Sequence, residues 1–199
     1  MPMNFKRISL ALCLPVLLTA CRPDPPVPRP KGYYRIDLPQ HAYRAFDSTG
    51  FPFRFSYPVY GRISQDVNLN KAENAPYWLN IDFPELNATI YLSYKSVTAA
   101  EPLDKLVEES YKLSHAHDIR ADYIKTPAFR TGNGLVGVFY SVGGNAASAY
   151  QFFVTDSTRN FLRGSLYFNN TPNADSLRPA TEFLKKDMEY LVETIQFKQ

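Results

Sequence analysis

Apolar residues alternate with polar ones over several short stretches of this chain, and at two places the period lengthens to that of a helix. From Phe51 the pattern runs Phe51, Phe53, Phe55, Tyr57 on one side and Arg54, Ser56 on the other, stopping at Pro58. A period of two marks a half-buried strand. Leu79, Ile81 and Phe83 alternate with Asn80 and Asp82. After the turn Pro84-Glu85-Leu86-Asn87, Ile90, Leu92 and Tyr94 alternate again, so this pair predicts a β-hairpin. Residues 102–116 change period: Leu103, Leu106, Val107, Ser110, Tyr111 and Ser114 share a helical stripe, with Pro102 suited to the first turn. That helix is expected to end near His115–Asp118. A strand follows from Ile119 to Phe129. Gly132-Asn133-Gly134 turns the chain into Val136, Val138, Tyr140 and Val142. Gly143-Gly144-Asn145 reads as the next turn, before a strand at Ala149–Thr155. Asp156 to Asn160 turns once more, and Leu162, Leu166 and Phe168 face inward. The closing helix carries Leu177, Leu184, Met188, Leu191 and Ile195 on one stripe. Because Pro179 is tolerated only in a first turn, its start is placed at about Ser176 or Leu177. Residues 62–76, polar and rich in Asn, read as a long loop. Tyr33 to Pro39 reads as an extended edge segment.

The order of strand, hairpin, helix, meander and C-terminal helix argues for an α+β domain, an antiparallel β-sheet with helices packed on it. It resembles the Mog1/PsbP-like α/β/α sandwich, in which helices cover both sheet faces. That resemblance carries a fold and no function.

The N-terminus is built differently. Lys6 and Arg7 precede an apolar run from Ile8 to Leu18, and Leu18-Thr19-Ala20-Cys21 closes it. The run is shorter than the roughly 20 residues that a membrane-spanning helix needs. Charge, short apolar centre and small residues describe a signal peptide, and the cysteine makes the site a lipobox. The expectation is cleavage after residue 20 and a diacylglycerol on the Cys21 thiol. Residues 21–32 then form a lipidated cysteine and Pro-rich tether, extended at about 3.1 Å per residue and reaching up to roughly 30 Å. Residues 33–199 form a single α+β domain.

Maturation changes the composition. The chain has 22 Lys+Arg against 19 Asp+Glu and a pI near 8.8. Losing residues 1–20 removes Lys6 and Arg7 and no acid. The mature domain is near neutral, which gives no electrostatic case for nucleic acid. Of two cysteines, Cys13 leaves with the signal and Cys21 takes the lipid, so the domain has no thiol for a disulfide, zinc site or nucleophile.

Candidate chemistry is sparse. His115-Ala116-His117-Asp118 is the one local cluster of metal-ligand types. Histidines two apart on a helix diverge, and the remaining His41 has no ligand-like context, so neither metal nor cofactor is expected. No Gly-x-Ser-x-Gly elbow, phosphate-cradling loop or His-Glu-x-x-His occurs. Asp82 and Glu85 flank a turn, where solvation accounts for them. No catalytic residue is assigned, and the chain is not expected to be an enzyme. The 14 Tyr and 14 Phe serve a core or a contact surface, with Tyr33, Tyr34, Tyr60, Tyr77, Trp78 and Tyr91 as candidates for an aromatic groove.

Several blocks carry a family resemblance: Gly32 to Pro39, Trp78 to Phe83, Ile90 to Lys95, Gln151 to Ser157 and Phe161 to Phe168. Together with the lipobox, they resemble the gliding-motility lipoprotein GldD family of Bacteroidetes over almost the whole mature chain. The resemblance implies a membrane-anchored, non-catalytic component of the gliding-motility and type IX secretion machinery, and Arg22 with no acidic run after Cys21 favours a periplasm-facing one. Its partners would be the membrane, through Cys21, and other proteins of that machinery. The alternative is a periplasmic small-ligand or glycan-binding lipoprotein. Asp47-Ser48-Thr49, Asp156-Ser157-Thr158 and Asp175-Ser176-Leu177 are similar to the O-glycosylation pattern of the same bacteria, in positions where Asp and Ser also serve as caps and turn formers.

Overall fold

The alternation of Ile90, Leu92 and Tyr94 against Tyr91, Ser93 and Lys95 places a strand at the centre of the molecule, with one face fully buried. The computed structural model describes Gly32 and residues 35–116 and 120–198. Cys21 with its lipobox, nearly all of the Pro-rich tether, Tyr33, Tyr34, His117 and Asp118 lie outside the described residues.

That central strand is β5 (Ala88–Ser96). It pairs antiparallel with β4 (Leu79–Phe83) through the turn Pro84–Leu86 and with β10 (Asn160–Phe168) on its other side. The turn needs a left-handed residue, and Asn87 supplies it at φ 48°. Beyond β10 the meander continues as β9 (Tyr150–Thr155), β8 (Val136–Gly144) and β6 (Ala121–Lys125). β3 (Arg62–Ser64) extends the other edge from β4, and β7 (Ala128–Arg130) also pairs with β8. Eight antiparallel strands thus form one sheet. A second sheet of three strands is built from β1 (Tyr43–Phe46), β2 (Phe53–Pro58) and β11 (Gln196–Phe197). Three helices complete the described residues: α1 (Val67–Ala72), α2 (Leu103–His115) and α3 (Ala174–Thr194).

Even-numbered residues of β5, β9 and β10, such as Leu92, Phe152 and Leu162, point into the larger core, which the small sheet and α3 close. Leu184, Met188 and Leu191 of α3 are fully buried there, each contributing about 1.5–3 kcal/mol. Gly164 lies under the Phe152 ring, where a Cβ would collide with it. Odd-numbered residues point to the opposite face. There Phe153, Phe161 and Tyr140 meet Leu106 of α2 in a smaller cluster. Helices on both faces of an antiparallel sheet are the expected α+β sandwich.

Five local expectations are corrected. Residues 62–76 hold β3 and α1, because Asp66 caps α1 by accepting from the Asn68 and Leu69 N–H groups. The strand expected over Ile119–Phe129 is broken at Pro127, which has no N–H, into β6 and β7. Gly143 and Gly144 belong to β8 and pair with β6. Tyr123 lies where a Gly143 side chain would stand, and Gly144 has φ +88°. Helix α3 starts at Ala174 and carries Pro179 in its second turn. Asn173 caps the early start by accepting from Ser176 N–H at 3.2 Å, and Ala174 N–H donates to Asn145 Oδ1 at 2.9 Å. Tyr111, expected on the buried stripe of α2, is exposed, and Pro102 is that helix's N-cap residue.

Candidate functional site

An aspartate interrupts the buried stripe of α3. Phe183, Leu184, Asp187, Met188 and Leu191 follow each other at helical spacing, and Asp187 is fully buried. A carboxylate without partners there would be strongly disfavoured. Three side chains from the first thirty described positions supply them. His41 Nδ1 lies 2.7 Å from Oδ1, Tyr43 donates to the same oxygen at 2.9 Å, and Tyr60 donates to Oδ2 at 2.5 Å. His41 stacks on Phe183 at 4.3 Å and Tyr43 on Tyr190 at 3.8 Å. Burial, then the bond to Asp187, pushes the Tyr43 and Tyr60 phenols well above their ordinary range, so both remain donors. Both carboxylate oxygens are engaged, and the cluster clamps the segment 41–60 onto α3.

The residues singled out in the sequence do not assemble here. His115 sits at the end of α2, stacks on Tyr111 at 3.8 Å and lies 3.0 Å from the Tyr111 carbonyl oxygen through Nδ1. Among the described residues no group of three or more His, Cys, Asp or Glu is placed to hold a metal. Asp82 accepts from Ser64 Oγ at 2.5 Å and Thr89 Oγ1 at 3.0 Å across β3, β4 and β5. Asp156 organises the β9–β10 turn. Burial opposes its charge, but bonds from the Asn160 side chain and the backbone N–H groups of Arg159, Asn160 and Thr158 prevail and hold its pKa at about 2. Asp47, of another glycosylation-like pattern, pairs with Lys198 at 2.7 Å.

The candidate aromatics disperse. Tyr60 joins the Asp187 clamp, Tyr77 packs on Phe51 and Tyr94, and Tyr91 is exposed beside Tyr167. Of the four that are described, Trp78 alone faces α2, lining a cavity of about 230 Å³ with Ser93, Lys95 and Arg163. Gln65 Nε2 and Asn70 Nδ2 hold it in place, donating to its carbonyl at 2.8 and 2.9 Å. The polar residues of the supposed loop therefore position this tryptophan.

Sequence reasoning passed over His41 and Asp187 as a pair. The available signal was an acid at a core position of an otherwise apolar stripe.

An antiparallel α+β sandwich, with its buried carboxylate spent on a clamp and a polar cavity beneath one helix, is the class that fold and site define. The model of the family described as gliding motility lipoprotein GldD matches residues 23–197. The chain belongs to the gliding motility lipoprotein GldD family. Among curated proteins, none matches it significantly. A similar solved structure is the solution structure of cyanobacterial PsbP from Synechocystis sp. PCC 6803. It has 11% identity and a TM-score of 0.49, covering 80% of this chain and 95% of that one. The assignment of the sandwich rests on the chain's own strand order and helix packing. No helix among the described residues is long and apolar enough to cross a membrane.

Proposed function

We propose that residues 1–20 are a lipoprotein signal peptide and that Cys21 is lipidated. Residues 21–32 tether the domain 33–199 to the periplasmic side of an envelope membrane. There it acts as a non-catalytic subunit of the gliding-motility and type IX secretion machinery. The carrying observation is the family match from residue 23 to residue 197, nearly everything after the lipobox. The geometry of Asp187 supports the non-catalytic part. Among the described residues, the pairing of Asp187 with His41 at 2.7 Å is the arrangement closest to an acid–base couple, and both oxygens of that aspartate are occupied by residues that fasten the fold.

Deleting the gene is expected to stop surface spreading in a gliding host and release of a type IX cargo, and the wild-type chain should restore both. A fatty-acid probe should label wild type and leave Cys21→Ser unlabelled. Normal secretion in the deletion strain contradicts the machinery role, and label on Cys21→Ser contradicts the lipobox.

A further inference from the structure

Register brings Arg163 of β10 opposite Ser93 of β5, with Trp78 one step beyond on the approach to β4. All three line the cavity beneath α2, whose apolar wall is Leu106 and Phe161, 1% and 3% exposed. Two cations line it. Lys95 is already neutralised, bonding Glu109 at 3.1 Å and approaching Glu101 at 3.5 Å. Arg163 has no such close pair: among the described residues it makes no ion pair, Glu109 and Tyr167 favour its charge only from farther off, and Nη2 donates to the neutral Gln151 Oε1. Its Nε–H is buried without a partner in the protein, as are Trp78 Nε1–H and, beside Arg163 on the same sheet face, Gln151 Nε2 and Ser165 Oγ. Buried donors are nearly always paired, and leaving one unpaired costs about 1–3 kcal/mol. Burial weighs against the Arg163 charge, yet a guanidinium does not give up its proton.

A larger hollow of about 370 Å³ lies between β8 and the start of α3, but none of its lining residues has a buried polar atom left unpartnered. The smaller cavity therefore has the stronger claim to a guest.

The chemistry of that guest follows from the walls. One cation without a close ion pair and an indole N–H call for an acceptor that carries negative charge. Glu109 at the same wall repels a dianion, which disfavours phosphate. Leu106, Phe161 and the Trp78 ring call for an apolar body. The volume is below the roughly 300–1,000 Å³ of drug-sized sites, so the body is small. We infer that the cavity between α2 and the sheet binds a small organic monocarboxylate, its carboxylate on Arg163 and Trp78 and its apolar part against Leu106 and Phe161. This goes beyond the assembly role and is read without the machinery, so either can fail alone.

Trp78 is the one tryptophan of the chain, so its fluorescence reports the cavity directly. The full-length lipoprotein in detergent micelles is titrated with phenylacetate, with phenylacetamide and inorganic phosphate as comparisons. Phenylacetate should change the emission saturably, and the neutral amide should bind at least about tenfold more weakly, the effect of some 1.4 kcal/mol. Arg163→Gln should lose about tenfold or more in affinity. If that variant does not fold, Ser93→Leu, which takes up cavity volume and keeps the guanidinium, should abolish the response. Several results would overturn the inference: no saturable change with phenylacetate, an equal response to the amide, a response to phosphate alone, or unchanged binding in a folded variant. The cavity would then hold solvent only, or a different anion.

Discussion

Removing one hydroxyl from the Asp187 clamp should be costly, because the oxygen left behind has no access to water. Tyr60→Phe deletes the 2.5 Å bond to Oδ2 and a longer, 3.4 Å contact with His41 Nδ1. Bonds to a charged group are worth about 1.5–3 kcal/mol, so thermal unfolding of the lipoprotein should show a loss of that size. A shift within about 0.5 kcal/mol of zero, the usual range for surface substitutions, would mean that the clamp does not hold segment 41–60. The same phenols set the pH response. Tyr43, Tyr60 and Tyr150 are held above their ordinary value by burial first, then by Asp187 or, for Tyr150, by Glu189. A raised folded pKa contributes stability that is present below the unfolded value, about 10, and is lost as pH rises beyond it. Stability should therefore fall from about pH 10 upward, and less steeply in Tyr60→Phe. Denaturant melts at stepped pH check this, and parallel curves for the two proteins would contradict it. At this scale half of the clamp carried a signal in the sequence, which the reading of the apolar stripe passed over. Asp187 stands out as an acid among leucines, but His41 and Tyr60 lie 146 and 127 residues away, and no local pattern joins residues so far apart.

The amphipathic stripe of α3 is what fastens the small sheet and the large one into a single core. Leu184 is fully buried in that core with Phe53, Ile90 and Phe152 as fellow members. Leu184→Ala should cost about 2–5 kcal/mol, as buried large-to-small changes do, measured by the same thermal unfolding. A negligible shift would mean that α3 does not pack as described. This helix, α2, the β4–β5 hairpin and the β8–β9–β10 meander were legible because each repeats its period for long enough. What was not legible lacked a period or depended on distant contacts. β1 has four residues and β11 two, too few for alternation to register. The start of α3 depends on Asn145 from a different loop, which outweighs the penalty of Pro179 in the second turn. α1 buries no residue; its Asp66 cap was readable, but no apolar stripe accompanied it.

At the scale of the whole molecule, the two faces of the large sheet have separate uses. One packs against α3 and the small sheet and supplies the main core. The other is only partly covered by α2 and keeps the polar row of Ser93, Arg163 and Gln151 beside Trp78. The sequence predicted helices packed on the sheet, and the resemblance to the Mog1/PsbP-like sandwich implied both faces. It did not predict that the sheet face beneath α2 would be polar, because Arg163 and Gln151 read as ordinary outward positions of alternating strands. The proposed role has this family member support its machinery by contact and not by chemistry. The most direct measurement is release of a type IX cargo from a deletion strain carrying His41→Gln, Asp82→Asn, His115→Gln or His117→Gln, each checked for normal abundance in the membrane. Loss of a catalytic acid or base lowers activity by orders of magnitude, whereas most single contacts contribute under about 1 kcal/mol. Near wild-type secretion is expected from all four variants. A variant that is present at normal abundance and secretes no better than the deletion would contradict the claim and assign chemistry to that side chain.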